Sequence, residues 1–279
     1  TDPGPPATGA RLIRALEDLG VARLDFVLLT HIHLDHAGTT AAVLARWPEA
    51  RVVCHPRARA HLVEPTRLWE GSLAVLREKA RVYGRPGPVP AEALAEHAEA
   101  ERRGIAVVET PGHAPHHVCF LHEDSLFVGE AAGPFSTLGR GADTATPYLR
   151  PATPPVFRLE VAHASLERLL GLRPAPARLL FAHHGLHAGD APGILEAARD
   201  QLTLWVETCR GVAADRGGLP AAGDDVAAAA LMAAITDELA RRDAFFARGR
   251  ELPADIQERE QDFTRQTLRG MLGYLREGG

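Results

Sequence analysis

Apolar and polar positions along the first two thirds of the chain follow two periodicities, which predicts helices layered on sheets. Residues 10–19 carry leucine and isoleucine at the three- and four-residue spacing of an amphipathic helix, and Gly20 follows as its C-cap. Further helices are predicted at residues 39–47 and 157–170. Short aliphatic runs predict strands at residues 24–30, 51–54, 105–109, 118–121, 125–128 and 178–181. This order of elements indicates an α/β (or α+β) fold.

The pattern changes after about Asp190. Long stretches rich in alanine, leucine, arginine and glutamate predict three helices, at residues 191–212, 224–249 and 252–276. We therefore expect a domain over residues 1–190 and a C-terminal helical extension over residues 191–279.

Two segments interrupt the first domain. Residues 57–101 are predicted to be helical and polar, with a break rich in glycine and proline, and residues 133–156 show little periodicity. Long loops within compact domains are usually functional or disordered. We expect these segments to build a substrate pocket, with Tyr148 and either Arg150 or Arg140 contacting a substrate oxygen or anion.

Charge and cysteine content narrow the function classes. The 279 residues carry a net charge of −5, with a pI near 6.3, which gives no general attraction to nucleic acid or to an anionic membrane. The three cysteines are widely spaced and odd in number, so we expect buried free thiols, a reducing compartment and a cytoplasmic location. No apolar run approaches the roughly 18–20 residues of a membrane span, and no signal peptide is visible.

Ligand-type side chains concentrate directly after the predicted strand at residues 24–30. The stretch Thr30-His31-Ile32-His33-Leu34-Asp35-His36-Ala37-Gly38 holds three imidazoles and one carboxylate. Neutral imidazole and carboxylate suit zinc, iron or manganese. The alternative is a polar surface turn that happens to be rich in histidine, since the chain has 14 histidines.

Three further ligand-type sites also follow predicted strands. They are the turn Thr110-Pro111-Gly112-His113, the pair Gly129-Glu130 and the pair His184-Gly185. Each is weak evidence alone, because a histidine after a turn is usually a surface residue. Strands can carry all of them to one edge of a sheet, and together they predict a metal site.

This set of motifs resembles the metallo-β-lactamase fold superfamily. The marks of that family are a Thr/Ser-His-x-His-x-Asp-His-x-Gly loop, a TPGH turn, a bridging acid and a late His-Gly pair, and the resemblance runs from Asp2 to about Gly185. It implies a four-layer αβ/βα sandwich with two divalent metals, zinc in the first place and iron or manganese as alternatives. By position, it implies His31, His33 and His113 as ligands of the first metal, Asp35, His36 and His184 as ligands of the second, and Glu130 as the bridging acid.

The sequence departs from the family pattern at two places. The bridging position is usually aspartate, so the longer Glu130 either bridges with a changed geometry or binds one metal. The turn Asp2-Pro3-Gly4 resembles one that two or three strands normally precede, which implies that the first strands of the sandwich are missing from this sequence. A sheet edge would then be exposed, and a homodimer is a natural way to cover it. We also expect Asp2 to brace the metal loop.

The resemblance implies hydrolysis by water activated between two metals about 3.5–4 Å apart. Asp35 would orient the water and pass a proton to the leaving group. His117 either supports a ligand or is an ordinary strand-start histidine, and surface positions are the simpler expectation for His116 and His183.

The substrate is the open question. We favour a small ester-type molecule, such as a thioester, a lactone or a related acyl compound. The helical tail resembles that of hydroxyacylglutathione hydrolases in position only. The alternatives are a phosphodiesterase or nuclease of the same superfamily, a di-iron redox or oxygen-handling protein, and a non-catalytic binding module. The acidic balance counts against nucleic acid, the intact ligand set against a binding module, and a β-lactam substrate is not favoured.

Overall fold

A computed structural model describes residues 1–137, 146–183, 185–221 and 223–279. The backbone falls into two compact units. The first unit consists of Thr1–Glu109 and His116–Val128, and the second consists of Thr110–Pro115 and Gly129–Gly279.

The first unit contains two groups of strands. Strands β1 (Phe26–Leu28), β2 (Arg51–Val53) and β3 (Leu94–Ala95) form a parallel sheet in that order. Strands β4 (Ile105–Glu109), β5 (Val118–His122) and β6 (Ser125–Gly129) form an antiparallel meander, in which a two-residue turn joins β5 to β6. Apart from β3, which was not predicted, these strands lie where the aliphatic runs predict them, although β1 is shorter than the predicted 24–30.

The first unit also contains seven α-helices. The helices are α1 (Gly9–Asp18), α2 (Leu34–Ala37), α3 (Thr40–Arg46), α4 (Arg59–Val63), α5 (Thr66–Leu76), α6 (Glu78–Tyr83) and α7 (His97–Glu101). Leu29, Val43 and Val52 are buried in the core, and the apolar side of α1 packs against them. The helical character predicted for residues 57–101 is confirmed.

The second unit is mainly helical. Strands β7 (Phe135–Ser136) and β8 (Tyr148–Leu149) pair with each other, as do β9 (Arg178–Phe181) and β10 (Leu186–Ala188). The helices are α8 (Leu159–Leu170), α9 (Ala191–Asp215), α10 (Asp225–Arg242), α11 (Ala244–Ala247) and α12 (Ala254–Arg276). Helices α9 to α12 share this unit with α8. A domain boundary at residue 190 stays a prediction.

The helix predicted at residues 224–249 is interrupted at Asp243. The Asp243 carboxylate accepts hydrogen bonds from the backbone N–H groups of Phe245 and Phe246, which caps α11. It also accepts hydrogen bonds from the side chains of Gln201 and Trp205 on α9, each at 2.7 Å. The four hydrogen bonds to the buried Asp243 carboxylate fix this residue between α10 and α11, so the helix is not continuous here.

The cysteines behave as their spacing predicts. Cys54, Cys119 and Cys209 are free and buried, and burial raises the pKa of Cys54 and of Cys209 to about 12. Within the described ranges, no helix combines the length and the apolarity that crossing a bilayer requires.

Candidate metal centre

The first unit holds four of the predicted ligands on one short segment. His31, His33, Asp35 and His36, here called the first ligand set, follow β1, and the last two lie in the single turn of α2. The imidazole of His31 is fully buried, and its ring centroid lies 4.5 Å from that of His33 and 4.0 Å from that of His36. The loop therefore gathers three imidazoles instead of spreading them over a surface turn.

Asp2 determines which ring nitrogen of His31 carries the hydrogen, through the hydroxyl group of Thr30. The Asp2 carboxylate accepts hydrogen bonds from the backbone N–H of Thr30 at 2.8 Å and from its hydroxyl at 2.7 Å. Because the single hydroxyl hydrogen is used on Asp2, the Thr30 oxygen accepts from Nδ1 of His31, which lies 3.0 Å away. The lone pair of His31 is thus on Nε2, and Nε2 lies 3.0 Å from Nδ1 of His33.

The same carboxylate fixes His36. Nδ1 of His36 lies 3.3 Å from Oδ2 of Asp2, so Nδ1 carries the hydrogen and Nε2 carries the lone pair. That Nε2 atom is 3.9 Å from Oδ2 of Asp35. Burial opposes the charge of Asp2, but the hydrogen bonds from His36 and Thr30 outweigh it and hold the pKa of this carboxyl below its usual range. The prediction that Asp2 braces the metal loop is confirmed.

Two further histidines surround the first ligand set. The ring centroid of His117 lies 5.3 Å from that of His31, and the His117 side chain is fully buried. The ring centroid of His116 lies 6.2 Å from that of His33. His116 is therefore partly enclosed by the ligand rings and is not the surface residue that we expected.

The second unit brings three ligand-type side chains together, here called the second ligand set. They are His113, which precedes α8 in the chain, Glu130, directly after β6, and His183, two residues after β9. Nε2 of His113 lies 3.0 Å from Oε2 of Glu130, and Nε2 of His183 lies 3.7 Å from Oε1. Each oxygen of Glu130 thus faces a different imidazole. His183, expected at the surface, has a side chain only 24% exposed.

The orientation of His113 is set by a backbone carbonyl. Nδ1 of His113 lies 3.0 Å from the carbonyl oxygen of Ala152, and a carbonyl oxygen only accepts hydrogen bonds. Nδ1 therefore carries the hydrogen, and the lone pair on Nε2 points at Glu130. This is the arrangement that metal-binding histidines generally adopt, with the second ring nitrogen held by an acceptor.

Both ligand sets suit a divalent cation. In each set a backbone, hydroxyl or carboxylate acceptor occupies Nδ1 of an imidazole, which leaves the lone pair of that ring on Nε2. Nε2 of His113 and Oε2 of Glu130 are then both acceptors at 3.0 Å, and they repel each other unless a proton or a metal ion lies between them. Imidazole and carboxylate donors of this kind suit zinc, iron or manganese.

Two predicted site residues lie outside the described residues. His184, expected as a ligand of the second metal, falls between the described ranges that end at 183 and begin at 185. Arg140 falls in the gap between residues 137 and 146.

The prediction that Tyr148 and Arg150 contact substrate needs correction. Both side chains are buried, with exposed fractions of 2% and 3%. The hydroxyl of Tyr148 and Nε of Arg150 donate to the same oxygen of Glu260 on α12, at 2.9 and 2.7 Å. Their polar atoms are therefore used inside the second unit instead of facing a substrate. The sequence alone does not reveal this pairing, because Glu260 lies 110 residues after Arg150.

A small recess in the second unit reaches the second ligand set. Its lining includes His113, Glu130 and residues 151–153, so part of the expected pocket loop does border these ligands. The recess has room for about one water molecule.

Comparison with known proteins shows to which family the chain is similar. A family model described as the metallo-beta-lactamase superfamily matches residues 1–184. The metallo-beta-lactamase fold-containing protein ST1585 of Sulfurisphaera tokodaii is 30% identical over 190 residues, which cover 64% of this chain and 67% of the relative.

Two relatives with named activities match over shorter parts of their length. A hydroxyacylglutathione hydrolase of Stenotrophomonas maltophilia is 31% identical over 47% of this chain and 39% of its own length. The thioesterase pkgB of Emericella nidulans is 29% identical over 62% of this chain and 38% of its own length. The match thus spans less than two fifths of either enzyme.

Solved structures support the fold. The metallo-beta-lactamase family protein TTHA1429 of Thermus thermophilus superposes with a TM-score of 0.58 at 20% identity, over 97% of this chain and 81% of that structure. The structure of ST1585 gives a TM-score of 0.55 at 23% identity, over 92% of this chain and 81% of that structure. The predicted metallo-β-lactamase fold is confirmed.

Proposed function

Because the chain belongs to the metallo-beta-lactamase superfamily of metal-dependent hydrolases, we propose that it cleaves a small acyl ester, thioester or lactone with water activated by two divalent cations. The observation that carries the proposal is the state of the ligand imidazoles. An acceptor holds Nδ1 of His31, His36 and His113, and this leaves each Nε2 lone pair for a metal.

The proposed ligands are those that the sequence motifs imply. His31, His33 and His113 hold the first metal, and Asp35, His36 and His184 hold the second. Glu130 is the proposed bridge, which is supported by its two oxygens facing two different imidazoles. His183 is the alternative to His184, because its Nε2 lies 3.7 Å from Oε1 of Glu130.

The protein groups have separate tasks in this scheme. When bound, the two cations supply Lewis acidity and lower the pKa of a shared water towards neutrality. Asp35, at the first turn of α2 beside His36, orients that water and carries a proton to the leaving group. Asp2 and the Ala152 carbonyl hold the ligand rings, so that no reorientation of these rings is needed when metal binds.

An acyl substrate is supported by the relatives with named activities. Both the hydroxyacylglutathione hydrolase and the thioesterase carry acyl-transfer chemistry in their names. The net charge of −5 gives no support to a nucleic-acid substrate. Zinc is our first choice of metal, and the imidazole and carboxylate donors also suit iron and manganese.

We also propose a cytoplasmic location, supported by the three free, buried thiols, which are typical of a reducing compartment. The homodimer suggested by the sequence stays a proposal.

The experiment that tests the proposed function joins metal analysis to a turnover screen. The purified protein is expected to contain about two divalent metals per chain, and to hydrolyse at least one thioester, lactone or ester in a screen that also contains phosphodiester and β-lactam probes. His31→Ala and Asp35→Ala are expected to lower the metal content and to reduce the activity by two or more orders of magnitude, since each loses a ligand.

The matched control is His122→Ala, which removes an exposed imidazole at the end of β5 and should leave metal content and activity unchanged. His184→Ala is expected to lose one metal and His183→Ala to keep both, while the reverse result would make His183 the ligand. Turnover of phosphodiester probes alone would replace the acyl assignment. Unchanged metal content and activity in both His31→Ala and Asp35→Ala would overturn the proposal.

A further inference from the structure

We propose that the C-terminal helix α12 positions the metal ligand His113, through a buried chain of contacts that runs from Glu260 to Arg150 and to the carbonyl of Ala152. This inference rests on the proposed function, since it takes His113 as a ligand. It assigns a role in the metal site to residues of the helical extension that lie far along the chain from any ligand.

The chain of contacts begins with a buried ion pair. The side chains of Arg150 and Glu260 are 4% and 6% exposed, and Nε of Arg150 lies 2.7 Å from Oε2 of Glu260. Burial disfavours both charges, but each partner outweighs it, raising the pKa of Arg150 and lowering that of Glu260. A buried pair of this kind is weak evidence for added stability, because removing two charges from water costs about as much as their attraction returns. It suits a role in fixing geometry.

Helix α12 also forms hydrogen bonds with the residues that follow Arg150. The Thr267 hydroxyl donates to the carbonyl of Pro151, and the Thr153 hydroxyl donates to the carbonyl of Thr267, both at 3.2 Å. Nη1 of Arg150 also donates to the Pro151 carbonyl at 2.9 Å. The helix comes so close that a Cβ added to Gly270 would lie 2.0 Å from the carbonyl oxygen of Thr153. Residues 151–153 are therefore held from both sides of Ala152.

The segment at residues 151–153 contacts the proposed ligand His113. The Ala152 carbonyl lies between the two anchored residues and accepts the hydrogen bond from Nδ1 of His113 at 3.0 Å. Displacing this carbonyl would free the imidazole to rotate, or to move its hydrogen to Nε2, the nitrogen that faces Glu130. The position of α12 is thereby linked to the lone pair that a metal would use.

The test measures metal binding and needs no substrate. Stripped protein is titrated with Zn²⁺ against a chromophoric chelator, and with Co²⁺ by absorbance, for the parent and for Glu260→Gln. We expect two binding steps in the parent, and in Glu260→Gln one step weakened by about 10- to 100-fold with a changed Co²⁺ spectrum. The other step should change little. Loss of structural stability alone would not weaken one step selectively.

Two further variants complete the test. Glu258→Gln removes an exposed carboxylate from the same helix and should bind both metals like the parent. Thr267→Val keeps the side-chain shape but loses the bond to Pro151, and it decides the matter if Glu260→Gln fails to fold: we expect the same single step to weaken. A parent that binds no metal would refute the proposed function. A parent that binds two metals, with Glu260→Gln (or Thr267→Val in its place) equally tight in both steps, would refute only the role of α12.

Discussion

Replacing Asp2 by asparagine should weaken metal binding by the first ligand set although no ligand is removed. The carboxylate accepts three hydrogen bonds, one on Oδ1 from the backbone of Thr30 and two on Oδ2, from the Thr30 hydroxyl and from His36. An amide offers one oxygen and one NH₂ group, so it cannot accept at both positions. Whichever way the amide turns, its NH₂ group meets a donor.

Both orientations of the amide carry a cost that the structure specifies. With NH₂ towards the backbone of Thr30, two donors face each other in a buried position, which costs about 1–3 kcal/mol. With NH₂ at the position of Oδ2, the Thr30 hydroxyl and Nδ1 of His36 must both become acceptors. The ring hydrogen of His36 then moves from Nδ1 to Nε2. The Thr30 hydroxyl donates its hydrogen to Nδ1 of His31, so the ring hydrogen of His31 moves to Nε2 as well. Both metal-facing lone pairs are lost in that arrangement.

The expected effect on zinc affinity is about 10- to 100-fold, or roughly 1.4–2.8 kcal/mol. The assay is chelator competition on stripped protein, with urea unfolding of the metal-free form to measure the free energy of folding. Asp18→Asn, which neutralises an exposed carboxylate at the end of α1, is the matched control and should behave like the parent. Zinc binding by a folded Asp2→Asn variant within about twofold of the parent would refute the tautomer reasoning.

Three predictions concern the rest of the chain. Gly133→Ala should lower the free energy of unfolding in urea by about 2 kcal/mol or more, because φ is +77° and the new Cβ would lie 1.9 Å from the Arg150 carbonyl oxygen; Gly211→Ala, in open space on α9, should cost nothing. The three buried thiols should resist iodoacetamide at pH 8 until urea is added, since burial raises the pKa of Cys54 to about 12, and rapid labelling of native protein would contradict this. Glu260 has a lower pKa folded than its usual 4.5, so the stability that it contributes is present above about pH 4.5 and is lost as the pH falls through the folded pKa; Glu260→Gln should flatten the acid limb of stability against pH, measured by thermal unfolding.

The clustering of ligand-type side chains was predictable because its signal is local. His31, His33, Asp35 and His36 fall within six consecutive positions after an aliphatic run, and donor type and spacing suffice to indicate a metal site. Most strands and helices were predictable for the same reason, since their periodicity is written in neighbouring residues. The short strands β3 and β10 were not, because two or three residues carry no usable period.

The burial of polar side chains and their long-range hydrogen bonds could not be predicted from neighbouring residues. Tyr148 and Arg150 look like substrate contacts in a loop rich in glycine and proline, and only a carboxylate on α12 reveals that they are enclosed. Asp243 likewise sits in a stretch of good helix formers, and its donors on α9 lie about 40 residues earlier in the chain. Long-range hydrogen bonds decided both cases, and a single sequence shows no pairing at that distance.

The two ligand sets follow one principle with different means. Asp2 acts on His31 and His36 from the start of the chain, and the Ala152 carbonyl acts on His113 from a segment that α12 holds. In both, a group that accepts hydrogen bonds fixes the hydrogen on Nδ1 and leaves the lone pair of the ring on Nε2, where a cation would bind. Metal binding and folding stability are coupled under such an arrangement, because the cation binds the ligands as the folded chain holds them and not as the unfolded chain does. The stripped protein should therefore unfold at lower temperature than the loaded one, and weakening either acceptor should reduce the difference between them.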